Sequence, residues 1–250
     1  AAVPSLPLPY GGLTFKAGDP NTILIGGMAN TASGLLYQIG VVRGVDNHIT
    51  GFSGSATAVG TVGAFNDGGV VYGPGGVLFT SRWPENKLAQ TKPNSSAADK
   101  MIDLLPFDVA PSHAALNFVP TGFAGASQMK LVSWAGGEFY TAAYAPDGTG
   151  TFDISSVTQV DLDSSTLAMD TLPGEPEGFV YITAGNPGFV ANAMLVSEFT
   201  AGNVVAYDLD GDGNPLVATR RELIIGLKGA EGAAIDPLTG DFLFSTFGTA

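Results

Sequence analysis

The sequence predicts an all-β fold, a β-propeller of five blades with six as the competing count, each of about four antiparallel strands. Three observations lead there. A phrase recurs at intervals of roughly fifty to sixty residues: a small or acidic residue and Gly, a short apolar strand, a turn rich in Pro, Gly, Asp or Asn, and a second apolar strand. Gly is frequent at 35, Pro stands at 16, and 13% of residues are charged, a composition with many turns and few long polar helix faces. No window of about fifteen residues sustains a 3.6-residue apolar period, so a helical domain is excluded.

The copies occupy residues 11–27, 68–81, 116–134, 177–198 and 231–246. Each extends toward four strands. In the first, residues 34–39 and 48–52 read as the third and fourth strands, with a hairpin whose tip is Asp46-Asn47. In the second, 86–91 and 100–104 follow; in the third, 138–145 and 150–160 flank the turn Pro146-Asp147-Gly148-Thr149; in the fourth, 203–207 and 216–227 flank an acidic turn. The whole chain reads as one domain, with blades at 11–52, 66–105, 115–162, 176–227 and 229–250. The last stops after its second strand. A ring leaves no edge open, so completion is expected from residues 1–9, which with three prolines suit only an edge strand, and from a further C-terminal piece.

With 45% hydrophobic residues the chain can bury a sizeable core. Its net charge of −13 repels nucleic acid and anionic membranes and suits cations. Without Cys there are no disulfides or thiolate metal sites. No run of about eighteen apolar residues is present, so no membrane-spanning helix is expected. The opening Ala1-Ala2-Val3-Pro4 is what signal-peptidase cleavage at a small-residue site, or removal of a tag, leaves behind.

Two groups of residues suit Ca²⁺. Asp208, Asp210 and Asp212 alternate before Gly213 and Asn214, the first half of a calcium loop. The closing position of an EF-hand falls on Thr219 instead of Glu, and the segment reads as a hairpin, so a propeller-hairpin calcium loop is expected; the plain alternative is an acidic turn. The second group opens the inner strands, whose starts meet near a propeller axis. Glu177 and Glu231 occupy equivalent positions, Asn117 falls one residue later and Asp67 one earlier. Oxygens converging there form a cage for a divalent cation. Of the two histidines, His48 belongs to an outer hairpin and His113 lies just before an inner strand. The loop 82–87 carries Arg82 and Trp83, and Trp134 ends another second strand; these three are the candidate ligand-binding residues, packing between blades being the commoner use of such rings.

The phrase Glu231-Gly232…Asp236-Pro237, with the acids at the strand openings, resembles the gluconolactonase-like propeller lactonases. That resemblance implies an axial metal held by Glu, Asn and Asp from different blades. Gly73-Pro-Gly-Gly-Val-Leu-Phe-Thr80, Asn117-Phe-Val-Pro-Thr-Gly-Phe-Ala-Gly125 and 229–248 together look like secreted bacterial propeller proteins with a C-terminal PEP-CTERM sorting tail. This resemblance implies export from a Gram-negative cell to its surface or matrix, and no defined reaction; the tail itself is missing from the sequence. The resulting expectation is a secreted, calcium-binding, non-enzymatic binding or matrix protein, with extracellular polysaccharide or a surface protein as partner. The alternatives are a metal-dependent lactonase or esterase and a self-assembling filament or array subunit.

Overall fold

The computed structural model describes residues 2–248. The first repeat forms β1 (Tyr10–Lys16), β2 (Asp19–Gly27), β3 (Leu35–Arg43) and β4 (Ile49–Ala58). The second forms β5 (Asn66–Tyr72), β6 (Leu78–Arg82), β7 (Lys87–Thr91) and β8 (Lys100–Asp103). The third forms β9 (His113–Phe118), β10 (Met129–Ser133), β11 (Phe139–Pro146) and β12 (Phe152–Gln159). The fourth forms β13 (Pro176–Ile182), β14 (Ala193–Glu198), β15 (Asn203–Asp208) and β16 (Arg221–Ile224). The fifth contributes β17 (Ala230–Ile235) and β18 (Phe242–Thr246).

Each of the first four repeats is an antiparallel four-stranded sheet with neighbours in chain order. Among the described residues the fold is thus an all-β propeller with four complete blades, not five or six, and β17–β18 is a two-stranded sheet. The inner strands touch in the order β1, β5, β9, β13, β17, and β17 returns to β1. The expected N-terminal edge strand does not form among the described residues. Residues 2–9 instead pack on the first blade: the Pro4 carbonyl accepts from Ala56 N–H and the Tyr10 hydroxyl accepts from Val3 N–H at 3.0 Å. Three prolines leave this segment too few N–H donors for a ladder. Ala1 and residues 249–250, the outer ends of the expected closing segments, lie outside the described residues.

The apolar residues fill the spaces between blades. Phe139, Phe179, Met194 and Tyr207 form one cluster, and Phe79, Leu88, Leu131 and Tyr140 another. At the hairpin tip predicted from Asp46-Asn47, both residues take the left-handed conformation, φ 59° and 65°, which Asn and Asp tolerate best among residues with side chains.

The inner strands share one irregularity. Register shifts occur between Tyr10 and Leu13, Asn66 and Val70, Pro176 and Phe179, and Ala230 and Ala233. Such bulges leave backbone groups unpaired and re-aim side chains. The serines of the recurring second-strand phrase occupy two of them. Ser245 Oγ accepts from Gly232 N–H at 2.9 Å and donates to the Gly11 carbonyl at 2.6 Å, stitching β18 through β17 to β1. Ser81 Oγ accepts from Gly69 N–H at 2.9 Å. Ser245→Ala is expected to lower stability by about 1–3 kcal/mol, because both groups are buried and lose their partner; urea denaturation measures it, and a change below about 0.5 kcal/mol contradicts the stitching role.

A candidate axial cation site of three buried carboxylates

The bulges carry the acids. Asp67 lies in the bulge of β5, Glu177 in that of β13 and Glu231 in that of β17. The inner strands approach so closely there that a Cβ at Gly178 would stand 2.5 Å from the Glu231 carbonyl, and one at Gly232 2.5 Å from the Gly12 Cα. The Gly that follows each acid therefore lets the three strands converge. One carboxylate oxygen from each acid lies within 4.8 Å of the others, and the residues are 0%, 3% and 0% exposed.

Few donors reach this cluster. The Asn30 amide nitrogen donates to Asp67 Oδ1 at 2.9 Å and to the Asn66 carbonyl at 3.0 Å. Asp67 Oδ2, Glu177 Oε2 and both Glu231 carboxyl oxygens are buried without a hydrogen-bond donor. Burial pushes all three acids far above the usual carboxylate range, and for both glutamates repulsion from neighbouring acids adds to it. Three ionised carboxylates do not coexist in such a space; either protons or a cation must neutralise them. An all-oxygen donor set without Cys or His suits a hard divalent ion such as Ca²⁺.

The fourth expected member is elsewhere. Asn117 donates its amide to the Phe179 carbonyl at 2.8 Å, and its Oδ1 accepts from Phe118 N–H at 2.8 Å. The register explains this. In the third blade Val132 pairs with Ala115, as Val196 pairs with Phe179 in the fourth, so the residue level with Glu177 is near His113, not Asn117. Asn117 instead lines an axial funnel of about 230 Å³ with Val70, Phe179 and Tyr181, whose lining includes Gly68, next to Asp67. His113 is fully buried in β9 with both ring nitrogens unpartnered, and burial lowers its pKa to about 4, so it is neutral. It is not among the ligand-distance group. His48 sits in the outer hairpin as expected, paired with Asp241 at 2.6 Å.

The loop 208–214 is organised without convergence of its acids. Asp208 pairs with Arg221 at 2.8 Å. Asp210 Oδ1 accepts from Asp212 N–H and Asn214 N–H, both at 2.8 Å, and its Oδ2 accepts from the Asn214 amide at 2.9 Å. A cation is already there: the fully buried Lys130 donates to Asn214 Oδ1 at 2.6 Å and to Thr141 Oγ1 at 2.8 Å. Burial lowers its pKa to about 8, with Asp210 and Asp212 acting against that shift. This geometry matches the acidic-turn alternative: a turn capped by its own backbone and closed by a lysine from the neighbouring blade. Asp210→Ala is expected to cost about 1–3 kcal/mol through its lost hydrogen bonds while leaving calcium affinity unchanged; loss of calcium binding in titration calorimetry would restore the loop as a calcium site.

Of the candidate ligand-binding residues, Arg82 is committed elsewhere. It pairs with Glu85 at 2.6 Å, lies over the Phe65 ring at 5.4 Å and is 9% exposed. Trp83 and Trp134 do meet, edge to face at 6.4 Å. The arc continues to Phe199 at 6.3 Å and on to Phe247 at 5.6 Å, all half-buried. Each ring follows the Ser of its second strand, in Ser81-Arg-Trp83, Ser133-Trp134, Ser197-Glu-Phe199 and Ser245-Thr-Phe247. A ring one or two residues after each of these serines was a signal for Phe199 and Phe247 which the strand-by-strand reading missed. In antiparallel sheets second strands end where first strands begin, so the arc rims the end of the ring that holds the acids.

No protein-family model matches the sequence, and no curated protein matches it. The resemblances to tail-sorted and lactonase-like propellers thus find no matching family. Solved structures are similar in fold. An auxiliary nutrient binding protein from Bacteroides thetaiotaomicron aligns with a TM-score of 0.53 at 10% identity, over 98% of this chain and 67% of that one. An auxiliary nutrient binding protein from Bacteroides ovatus gives 0.49 at 10% identity, over 98% and 68%. The PQQ-bound aldose sugar dehydrogenase from Streptomyces coelicolor gives 0.46 at 12% identity, over 98% and 77%. The chain spans about two thirds of the length of the two Bacteroides proteins. Among the described residues no helix is long and apolar enough to cross a membrane.

Proposed function

We propose that this protein is an exported, non-enzymatic binding propeller in which Asp67, Glu177 and Glu231 hold one Ca²⁺ on the axis as a structural staple. The observation that carries the reading is the set of four buried carboxylate oxygens with no donor, contributed by three separate inner strands. A cation bound there joins the second, fourth and fifth repeats, and because the unfolded chain has no preformed site, its binding energy adds to folding. The carboxylates are sealed from solvent, which favours a staple over the lactonase alternative: a Lewis-acid metal needs an open position that a substrate carbonyl can reach. The arc Trp83–Trp134–Phe199–Phe247 is the ligand face in this reading, since half-exposed rings supply stacking area for sugar rings of an extracellular polysaccharide.

Titration calorimetry with CaCl₂ on chelator-treated protein tests the staple. The expected result is about one site per chain, abolished in Asp67→Asn and in Glu231→Gln and retained in Asp210→Ala. A wild-type chain without binding heat and without a change of melting temperature on calcium addition would assign the cluster to protons and end the calcium reading.

A further inference from the structure

Strand register identifies which side chains meet between the first and second blades. Leu24 pairs with Gln38, and Gln38 with Thr57, so these three share one face of the first blade. Leu78 pairs with both Tyr72 and Thr91, so these three share one face of the second. Leu24 and Leu78 belong to one core cluster, so the two faces look at each other. Tyr72 closes the strand that Asp67 opens, which places Tyr72 and Thr91 at the end of the ring away from the carboxylates and the aromatic arc. Lys130 in β10 and Leu24 in β2 hold equivalent places, each just before a core residue of the opposite face, Leu131 and Ile25. Lys130 stands opposite Thr141 and reaches across to Asn214 in the turn after β15. The shorter Leu24 leaves a cavity of about 230 Å³ under the turn after β7, walled by Tyr72, Thr91, Pro93 and Asn94 on one side and by Lys16 and Gln38 on the other.

The cavity offers donors. Thr91 is 5% exposed, and its Oγ1 is buried without a hydrogen-bond partner, a cost that a ligand oxygen there would recover. Lys16 Nζ donates to Gln38 Oε1 at 3.0 Å, a neutral acceptor. With that oxygen taken, Gln38 has its N–H₂ group left to give. Asp19, the acid of the same hairpin, turns to its own backbone and accepts from Asn21 N–H at 2.9 Å. Lys92 is committed on the far side, paired with Asp99 at 3.3 Å with its stem beside Gly150 of the third blade. Lys16 is therefore the cation that faces the cavity, and among the described residues no Asp or Glu lines it. In a chain with 23 acids against 10 Lys and Arg, such a lining suits an anionic, oxygen-rich ligand.

We propose that this inter-blade cavity binds the uronate unit of an acidic saccharide. The carboxylate lies on Lys16 and the Gln38 amide, a ring oxygen on Thr91 Oγ1, and the apolar face of the sugar on the Tyr72 ring. The volume is below the roughly 300 Å³ at which pockets for drug-sized ligands begin, so the cavity takes a single ring. The next unit has a place beside it. Gly40 stands opposite Thr22 without a side chain, and a shallow depression of about 290 Å³ opens over it. That depression shares Lys16 and Gln38 with the cavity and adds the hydroxyls of Ser55 and Thr57. The site is separate from the axial cation and from the aromatic arc and needs neither.

The probes are methyl glucuronide and methyl glucoside, which differ in the carboxylate alone. Each is titrated into the full chain and followed by amide and indole NMR, with and without calcium, so that failure of the axial site and failure of this cavity are read separately. Saturable shifts are expected at Lys16, Gln38 and Thr91, with the glucuronide bound about fivefold tighter or more. Lys16→Gln should bring the two sugars to equal affinity. Thr91→Val should weaken both about fivefold while leaving the melting temperature unchanged or higher, because it removes a buried hydroxyl that has no partner. A threonine with a purely structural role would leave binding unmoved, and that result overturns the proposal. So does a wild type without saturable shifts at these residues, or one that binds the glucuronide no tighter than the glucoside. Shifts confined to the indole signals of Trp83 and Trp134 overturn it as well and assign the saccharide to the arc.

Discussion

Stripping calcium from the protein is expected to remove roughly 3–4 kcal/mol of stability, the linkage energy of a site filled at about a hundred to a thousand times its dissociation constant. The remaining chain should then show an inverted pH response. Asp67, Glu177 and Glu231 have pKa values raised by burial in the native state, so without a cation the native state binds more protons than the unfolded chain. Stability is then full below the ordinary carboxylate values of 3.8 and 4.5 and falls as pH rises through the raised values. Saturating calcium takes the protons' place and flattens the decline. Glu231→Gln separates the two agents: its amide is neutral at every pH, so the variant should lose calcium binding and yet, in chelator at pH 8, exceed the wild type in stability. Urea denaturation at pH 5 and pH 8, with chelator and with calcium, measures all four corners. A chelated wild type equally stable at both pH values would refute the buried-acid account.

Gly178→Ala is expected to be strongly damaging, costing about 3 kcal/mol or more. The new Cβ would lie 2.5 Å from the Glu231 carbonyl and 2.8 Å from Ala233 N, both backbone atoms of the adjoining inner strand, so β13 and β17 would have to separate. Their separation would also pull Glu177 from Glu231, so calcium affinity should fall together with stability. Gly211→Ala is the control: nothing lies within 4 Å of its Cβ, and the effect should stay within about 0.5 kcal/mol. Equal melting temperatures for the two variants would show that the inner strands do not close on each other as described.

Glu177 and Glu231 were legible because each stands before a Gly that opens an apolar strand, and the repeat aligns them directly. Asp67 was legible with an offset of one residue, which the longer bulge between Asn66 and Val70 accounts for. Asn117 was misplaced because the third repeat has no Gly at the strand opening: Ala114 and Ala115 stand there, and aligning on Asn117 moved the register. The loop 208–214 is ambiguous in sequence for a different reason. Acids at alternate positions look alike whether they converge on an ion or accept from their own backbone, and the deciding group, Lys130, lies far away in sequence.

The amino-acid sequence by itself determined the propeller class, the strand pairs of each repeat and the inner-strand positions of two acids, because these depend on local periodicity, on turn chemistry and on a repeat that superposes on itself. Tertiary structure alone decided how many blades are complete among the described residues, that residues 2–9 pack on the first blade, and that Asp67, Glu177 and Glu231 are brought together and sealed with few donors. The physical reason is distance along the chain. Bulges that turn side chains to the axis and a lysine supplied by a neighbouring blade are relations between repeats, fixed only when the ring brings together residues far apart in sequence.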